Sequence, residues 1–75
     1  MTAVDVCFNY AVPPTETIMR AIDTVREVYG IRRIRFNEAE RTVRVEYDAT
    51  RMNEDSVASL LRRTGLDLRE KLALV

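Results

Sequence analysis

The apolar side chains of this 75-residue chain change their spacing four times, and that succession leaves few architectures open. Over Ala3–Tyr10, Val4, Val6, Phe8 and Tyr10 share one parity while Asp5, Cys7 and Asn9 share the other. Period two with one greasy side predicts a half-buried strand. Pro13 and Pro14 end it, because proline has no amide hydrogen for the next ladder bond. Helical spacing follows, with Ile18, Ala21, Ile22, Val25 and Tyr29 as the inward stripe and Arg20, Asp23, Arg26 and Glu27 opposite. Thr15 is the expected N-cap, Glu16 places a negative charge at the positive end of the helix dipole, and Gly30 is expected to close the helix in the left-handed conformation.

Period two then returns twice. Residues 31–36 and Thr42–Asp48 read as the arms of a hairpin around Asn37, Glu38, Ala39, Glu40 and Arg41. Ile34 and Phe36 share one parity, as do Val43, Val45 and Tyr47 in the second arm, leaving Arg33, Arg35, Arg44 and Glu46 on a charged face. No glycine marks the turn, so its type stays open. A second helix begins after Asn53, a strong capping residue, with Glu54 and Asp55 in its first turn and Val57, Leu60, Leu61 and Thr64 facing inward. Arg62 and Arg63 complement its carbonyl end, and Gly65 closes it. Residues 66–75 read as a last strand facing inward through Leu68, Leu72 and Leu74.

The order strand, helix, strand, strand, helix, strand buries every apolar face if both helices cover one side of an antiparallel sheet. The expected fold is therefore α+β: a single ferredoxin-like βαββαβ plait over residues 1–75, with four antiparallel strands and two helices on one face.

Composition narrows the function. A 47% hydrophobic, 32% charged chain holds enough apolar surface to offset chain entropy, so disorder is excluded. No stretch approaches the roughly 20 apolar residues that cross a bilayer. Twelve basic and twelve acidic residues cancel, which disfavours nucleic acid and anionic membrane as partners. Histidine is absent, so the usual general base of a small hydrolase is missing, and nothing pairs a nucleophile with a base. The chain is not expected to be an enzyme, and no cofactor is expected. Cys7 is the only cysteine, which excludes an internal disulfide. With no leader ahead of the first strand, the setting implied is reducing and cytoplasmic.

Several landmarks resemble one family along nearly the whole chain. Gly30-Ile31, Ile34, Phe36 and the run from Thr42 through Asp48 are similar to the heavy-metal-associated domain of copper chaperones and of the N-terminal tails of heavy-metal P-type ATPases. Asn53, Val57, Leu60, Leu61 and Thr64-Gly65-Leu66 look like its second helix and closing turn. The resemblance implies the same plait and a role in heavy-metal transport or homeostasis. It also implies a Cys-x-x-Cys pair between the first strand and first helix, whose thiolates hold Cu(I) or Zn(II) because soft sulfur suits those ions. Counting back from Ile18 puts those positions at Ala11 and Pro14, and counting forward from the first strand puts them at Val12 and Thr15. Neither register contains a sulfur, so no residue is assigned as a metal ligand.

Three readings follow. The first is a non-enzymatic interaction module, a degenerate relative of metal chaperones, docking a heavy-metal transporter or a homologous domain. Its contacts would be Val12, Pro13 and Pro14, with Glu16 and Arg20 as orienting charges. Glu16 and Arg20 also stand in the favourable i, i+4 order. The second is a Cu or Zn binder that borrows Cys7 across a dimer or shares a partner's thiols; a monomer or weak dimer is expected overall. The third is a regulatory plait binding an anion or RNA through Arg33, Arg35 and Arg44. Eleven of the twelve basic residues are arginine, but the interleaved Asp5, Glu38, Glu40 and Glu46 and the inward parity of Phe8, Phe36 and Tyr47 favour a solvated charged face.

Overall fold

A computed structural model describes residues 3–72 of the chain. The elements are β1 (Ala3–Tyr10), α1 (Glu16–Val25), β2 (Ile31–Asn37), β3 (Thr42–Asp48), α2 (Glu54–Arg63) and β4 (Leu68–Leu72). All strand pairs are antiparallel, in the order β2-β3-β1-β4. This is the ferredoxin-like plait, as the sequence predicts.

Both helices begin as their capping residues dictate. Thr15 Oγ1 accepts from the Ile18 amide at 3.3 Å, and Asn53 Oδ1 accepts from the Ser56 amide at 2.9 Å. Each satisfies a donor that the first helical turn leaves without a partner. Ile22, Leu61, Val6, Val43, Val45 and Val57 are essentially sealed from solvent between the helices and the sheet. Burying each such side chain contributes about 1.5–3 kcal/mol.

Three details depart from the expected pattern. The first is the end of α1. It stops at Val25, and Tyr29 is 75% exposed rather than inward. Beyond Val25 the chain tightens into three-residue bonds: the Glu27 amide donates to the Thr24 carbonyl at 3.1 Å and the Val28 amide to the Val25 carbonyl at 3.0 Å. A tighter winding brings the residue three positions on, Val28, against the core instead of the residue four positions on. Gly30 does take a left-handed φ of 105°, but as the entry to β2, where a β-carbon would meet Met52 Sδ at 3.1 Å.

The second is the register of β2. Ile31 lies opposite Tyr47 and Arg33 opposite Glu46, leaving Arg32 as an extra residue. That bulge lets Ile31 and Ile34 both face the core although they differ in parity.

The third is β4, which is shorter than expected and changes face midway. Tyr10 opposes Leu68 and Phe8 opposes Lys71, so two steps along β1 match three along β4. The bulge turns Leu68 into the core but carries Leu72 to the open face opposite Cys7, correcting its expected inward position. Lys71 is thereby placed on the helix side, where its Nζ lies 2.7 Å from Glu54 Oε1. Leu74, also expected inward, lies outside the described residues.

Candidate docking surface

The segment between β1 and α1 is anchored at its base and exposed at its tip. The Tyr10 amide donates to the Arg41 carbonyl at 3.0 Å, and the Ala11 amide donates to the Asp67 carbonyl at 3.1 Å. These bonds draw together the β1–α1 loop, the β2–β3 hairpin tip and the α2–β4 turn. Arg41 Nη1 returns to the loop and donates to the Ala11 carbonyl at 3.0 Å. Beyond this base, Val12 is 58% exposed, Pro13 is exposed and Pro14 is half-buried. With no ring nitrogen able to donate and φ fixed at both prolines, the tip presents apolar surface along a restricted path.

Glu16 and Arg20 are held on the adjoining face of α1. Arg20 Nη2 donates to Glu16 Oε1 at 2.7 Å, with side chains 80% and 78% exposed respectively for Glu16 and Arg20. Such an exposed pair contributes only a few tenths of a kcal/mol to the helix, so its charges remain open to a partner at little cost. Val12, Pro13, Pro14, Glu16 and Arg20 thus occupy one continuous stretch running from the loop into α1.

Arg41 and Asp67 complete the loop's base, and sequence reading missed both. Arg41 looked like one charge among many in a turn without glycine, yet it adopts φ 55°. The turn needs that conformation because Asn37 Oδ1 accepts from the Glu40 amide at 3.3 Å while the Arg41 amide approaches the Glu38 carbonyl at 3.4 Å. Tyr10 lies beneath this junction. Burial pushes its hydroxyl pKa up, nearby Glu38 adds to the rise, and Arg41 opposes it.

The loop does not fit the metal that the resemblance implies. Neither pair of expected positions, Ala11 with Pro14 or Val12 with Thr15, carries a soft donor. Cys7 is half-buried in the middle of β1, opposite Arg44 on one side and Leu72 on the other, so its side chain stands on the open sheet face. Among the described residues, no three Cys, Asp or Glu side chains gather closely enough to hold one ion.

Arg33, Arg35 and Arg44 also stand together on that open face, where with Asp5 and Glu46 they line a depression of about 120 Å³. Two of the four acids expected to interleave with the arginines, Asp5 and Glu46, are present there, and Glu40 lies beside Arg35 and Arg44 in the adjoining hollow.

No protein-family model matches the sequence, and no curated protein matches it significantly. Among solved structures, the fold is similar to the yeast copper transporter domain Ccc2a, described in apo and Cu(I)-loaded states. The TM-score is 0.71 at 20% sequence identity, over 92% of this chain and 94% of that one. No helix among the described residues is long and apolar enough to cross a membrane. The chain therefore shares the ferredoxin-like fold of the Ccc2a domain, carried by a sequence with a proline loop between its first strand and first helix.

Proposed function

We propose that this chain is a non-enzymatic interaction module of heavy-metal transport or homeostasis, working in the cytoplasm as a degenerate relative of metal chaperones. It docks a heavy-metal transporter or a homologous domain through Val12, Pro13 and Pro14, with Glu16 and Arg20 fixing orientation. The observation that carries this reading is the exposed, thiol-free apolar tip on a hydrogen-bonded base. A tip whose path is already restricted loses little entropy on binding, and Val12, 58% exposed, gains about 1 kcal/mol or more when a partner covers what remains open. The likeness to a copper transporter domain supports the choice of partner class. A solitary cysteine suits a reducing compartment and leaves a monomer no second thiol.

The test pairs a metal titration with a docking titration. Native mass spectrometry with Cu(I) should show a chain that remains apo and monomeric, with Cys7→Ser changing nothing. Titration with the soluble metal-binding domain of a copper-transporting ATPase should shift amide resonances over residues 11–20, and Val12→Asp should weaken binding at least tenfold. One tightly held copper per monomer would sink the proposal. A copper-bridged dimer lost in Cys7→Ser would replace it with the intermolecular site, and shifts confined to another face would remove the docking loop.

A further inference from the structure

The open sheet face sorts its charges into two rows across the strands. One row runs Leu72, Cys7, Arg44, Arg35 across β4, β1, β3 and β2, and the neighbouring row runs Asp5, Glu46, Arg33 across β1, β3 and β2. Residues directly opposite in antiparallel strands project to the same side, so Arg35 and Arg44 stand face to face. Like charges in that position repel. Neither side chain is relieved locally: among the described residues, Arg33, Arg35 and Arg44 make no side-chain hydrogen bond or ion pair, and all three are exposed. Arg35 and Arg44 line both the 120 Å³ depression and a neighbouring hollow of about 330 Å³ that also includes Cys7, Phe36, Asn37 and Glu40.

We propose that Arg35 and Arg44, assisted by Arg33, form a binding site for a compact tetrahedral oxyanion, either free phosphate or the phosphate group of a small monoester. Guanidinium forks match such an anion bidentately, and strands hold their stems at fixed spacing before it arrives. An anion between Arg35 and Arg44 turns their repulsion into shared attraction. Asp5 and Glu46 share the lining of the depression and Glu40 that of the hollow, so a polyanion lying across the sheet would meet like charge. Of the aromatics that could stack bases, Phe8, Tyr10 and Tyr47 are buried beneath the face, and half-buried Phe36, which edges the larger hollow, packs its ring edge-to-face against Tyr10 at 5.9 Å. These features select a small ligand over an RNA strand. The site is independent of the docking loop and stands whether or not that loop binds a partner.

The experiment follows amide resonances of the full chain during titration with inorganic phosphate, with glycerol phosphate, and with chloride at matched ionic strength. Saturable shifts at Cys7, Arg35, Arg44 and Glu46 with phosphate but not chloride are expected. Tighter binding of glycerol phosphate would assign the monoester, and tighter binding of inorganic phosphate the free ion. Arg44→Gln and Arg35→Gln should each weaken binding roughly tenfold or more, whereas Arg62→Gln on α2 should leave it unchanged. The same spectra report whether each variant is folded. Equal shifts with chloride, undiminished binding in both folded variants, or a ribo-oligonucleotide that binds these residues when phosphate does not would overturn the proposal.

Discussion

Arg41 Nη1 donates to the Ala11 carbonyl at 3.0 Å, tying the hairpin tip to the loop that precedes α1 across thirty positions of sequence. The residue that makes this tie also carries φ 55°, a conformation that costs a side-chain-bearing residue roughly 1–2 kcal/mol. Two substitutions separate the tie from its conformational cost. Arg41→Ala removes the tie and keeps the strain, whereas Arg41→Gly removes both. Urea unfolding should place the alanine variant about 1 kcal/mol below the parent and the glycine variant above the alanine one. Hydrogen exchange at the Ala11 and Val12 amides should accelerate in both. Unchanged exchange in a destabilised Arg41→Ala protein would mean that the main-chain bonds at the base and the prolines hold the loop without the Arg41 side chain.

Asn9 explains how β4 can change face while the Glu70 amide keeps an acceptor. Its Oδ1 accepts from the Glu70 amide at 2.6 Å, inside the stretch where the β1–β4 ladder slips by one residue. A side-chain acceptor thus replaces the ladder acceptor that the bulge removes. The consequence is measurable at two leucines that the sequence treats as equivalent. Leu68→Ala should cost about 2–5 kcal/mol, as for a sealed core position. Leu72→Thr, on the open face, should cost less than about 1 kcal/mol. Comparable large losses at both positions would return Leu72 to the core and remove the bulge.

Local chemistry made most of the plait legible. Thr15 and Asn53 cap as expected, the parity of β1 and β3 sorts core from solvent correctly, and Gly30 takes the left-handed backbone foreseen for it. The misplaced side chains share one cause. Tyr29 and Leu72 each follow a point where the backbone changes its residue count: a tightened turn after Val25 and a bulge before Lys71. A parity or heptad count carries no record of such a step, so the side chain that follows it, Tyr29 in one case and Leu72 in the other, is assigned to the wrong face. At the candidate docking surface the apolar tip was visible because prolines and valine declare themselves. Its base was not, because Arg41 and Asp67 act through main-chain carbonyls that the folded chain alone brings near Tyr10 and Ala11.

Asp48 links the end of β3 to the approach of α2, and its titration should be visible in stability. Its Oδ1 accepts from Thr50 Oγ1 at 2.7 Å and from the Thr50 amide at 3.0 Å, and Arg51 Nε lies 3.8 Å from Oδ2. The Thr50 bonds, first the hydroxyl and then the amide, outweigh desolvation and with Arg51 hold the carboxyl below its ordinary value of 3.8. A depressed carboxyl adds stability above its unfolded-state pKa and loses it as pH falls through the folded-state value. Asp48→Asn should therefore destabilise the protein at neutral pH, with its stability curve converging on that of the parent as pH falls below about 4. Parallel curves down to the acid transition would show that these bonds leave the carboxyl's proton affinity unchanged.

The tightened turn after Val25 reverses the usual expectation for a tyrosine beside a valine. Tyr29 is exposed, with the Arg51 guanidinium 4.2 Å above its ring, whereas Val28 packs partly into the core. A cation–π contact at an exposed site is worth about 0.5–1 kcal/mol. Removing two methyl groups from a packed valine costs about 1.5 kcal/mol at roughly 0.8 kcal/mol for each buried carbon. Val28→Ala should thus destabilise more than Tyr29→Ala although it deletes far fewer atoms. Thermal unfolding of the two variants decides the point, because a continuous helix through Tyr29 would bury the ring and make its removal cost about 3–5 kcal/mol.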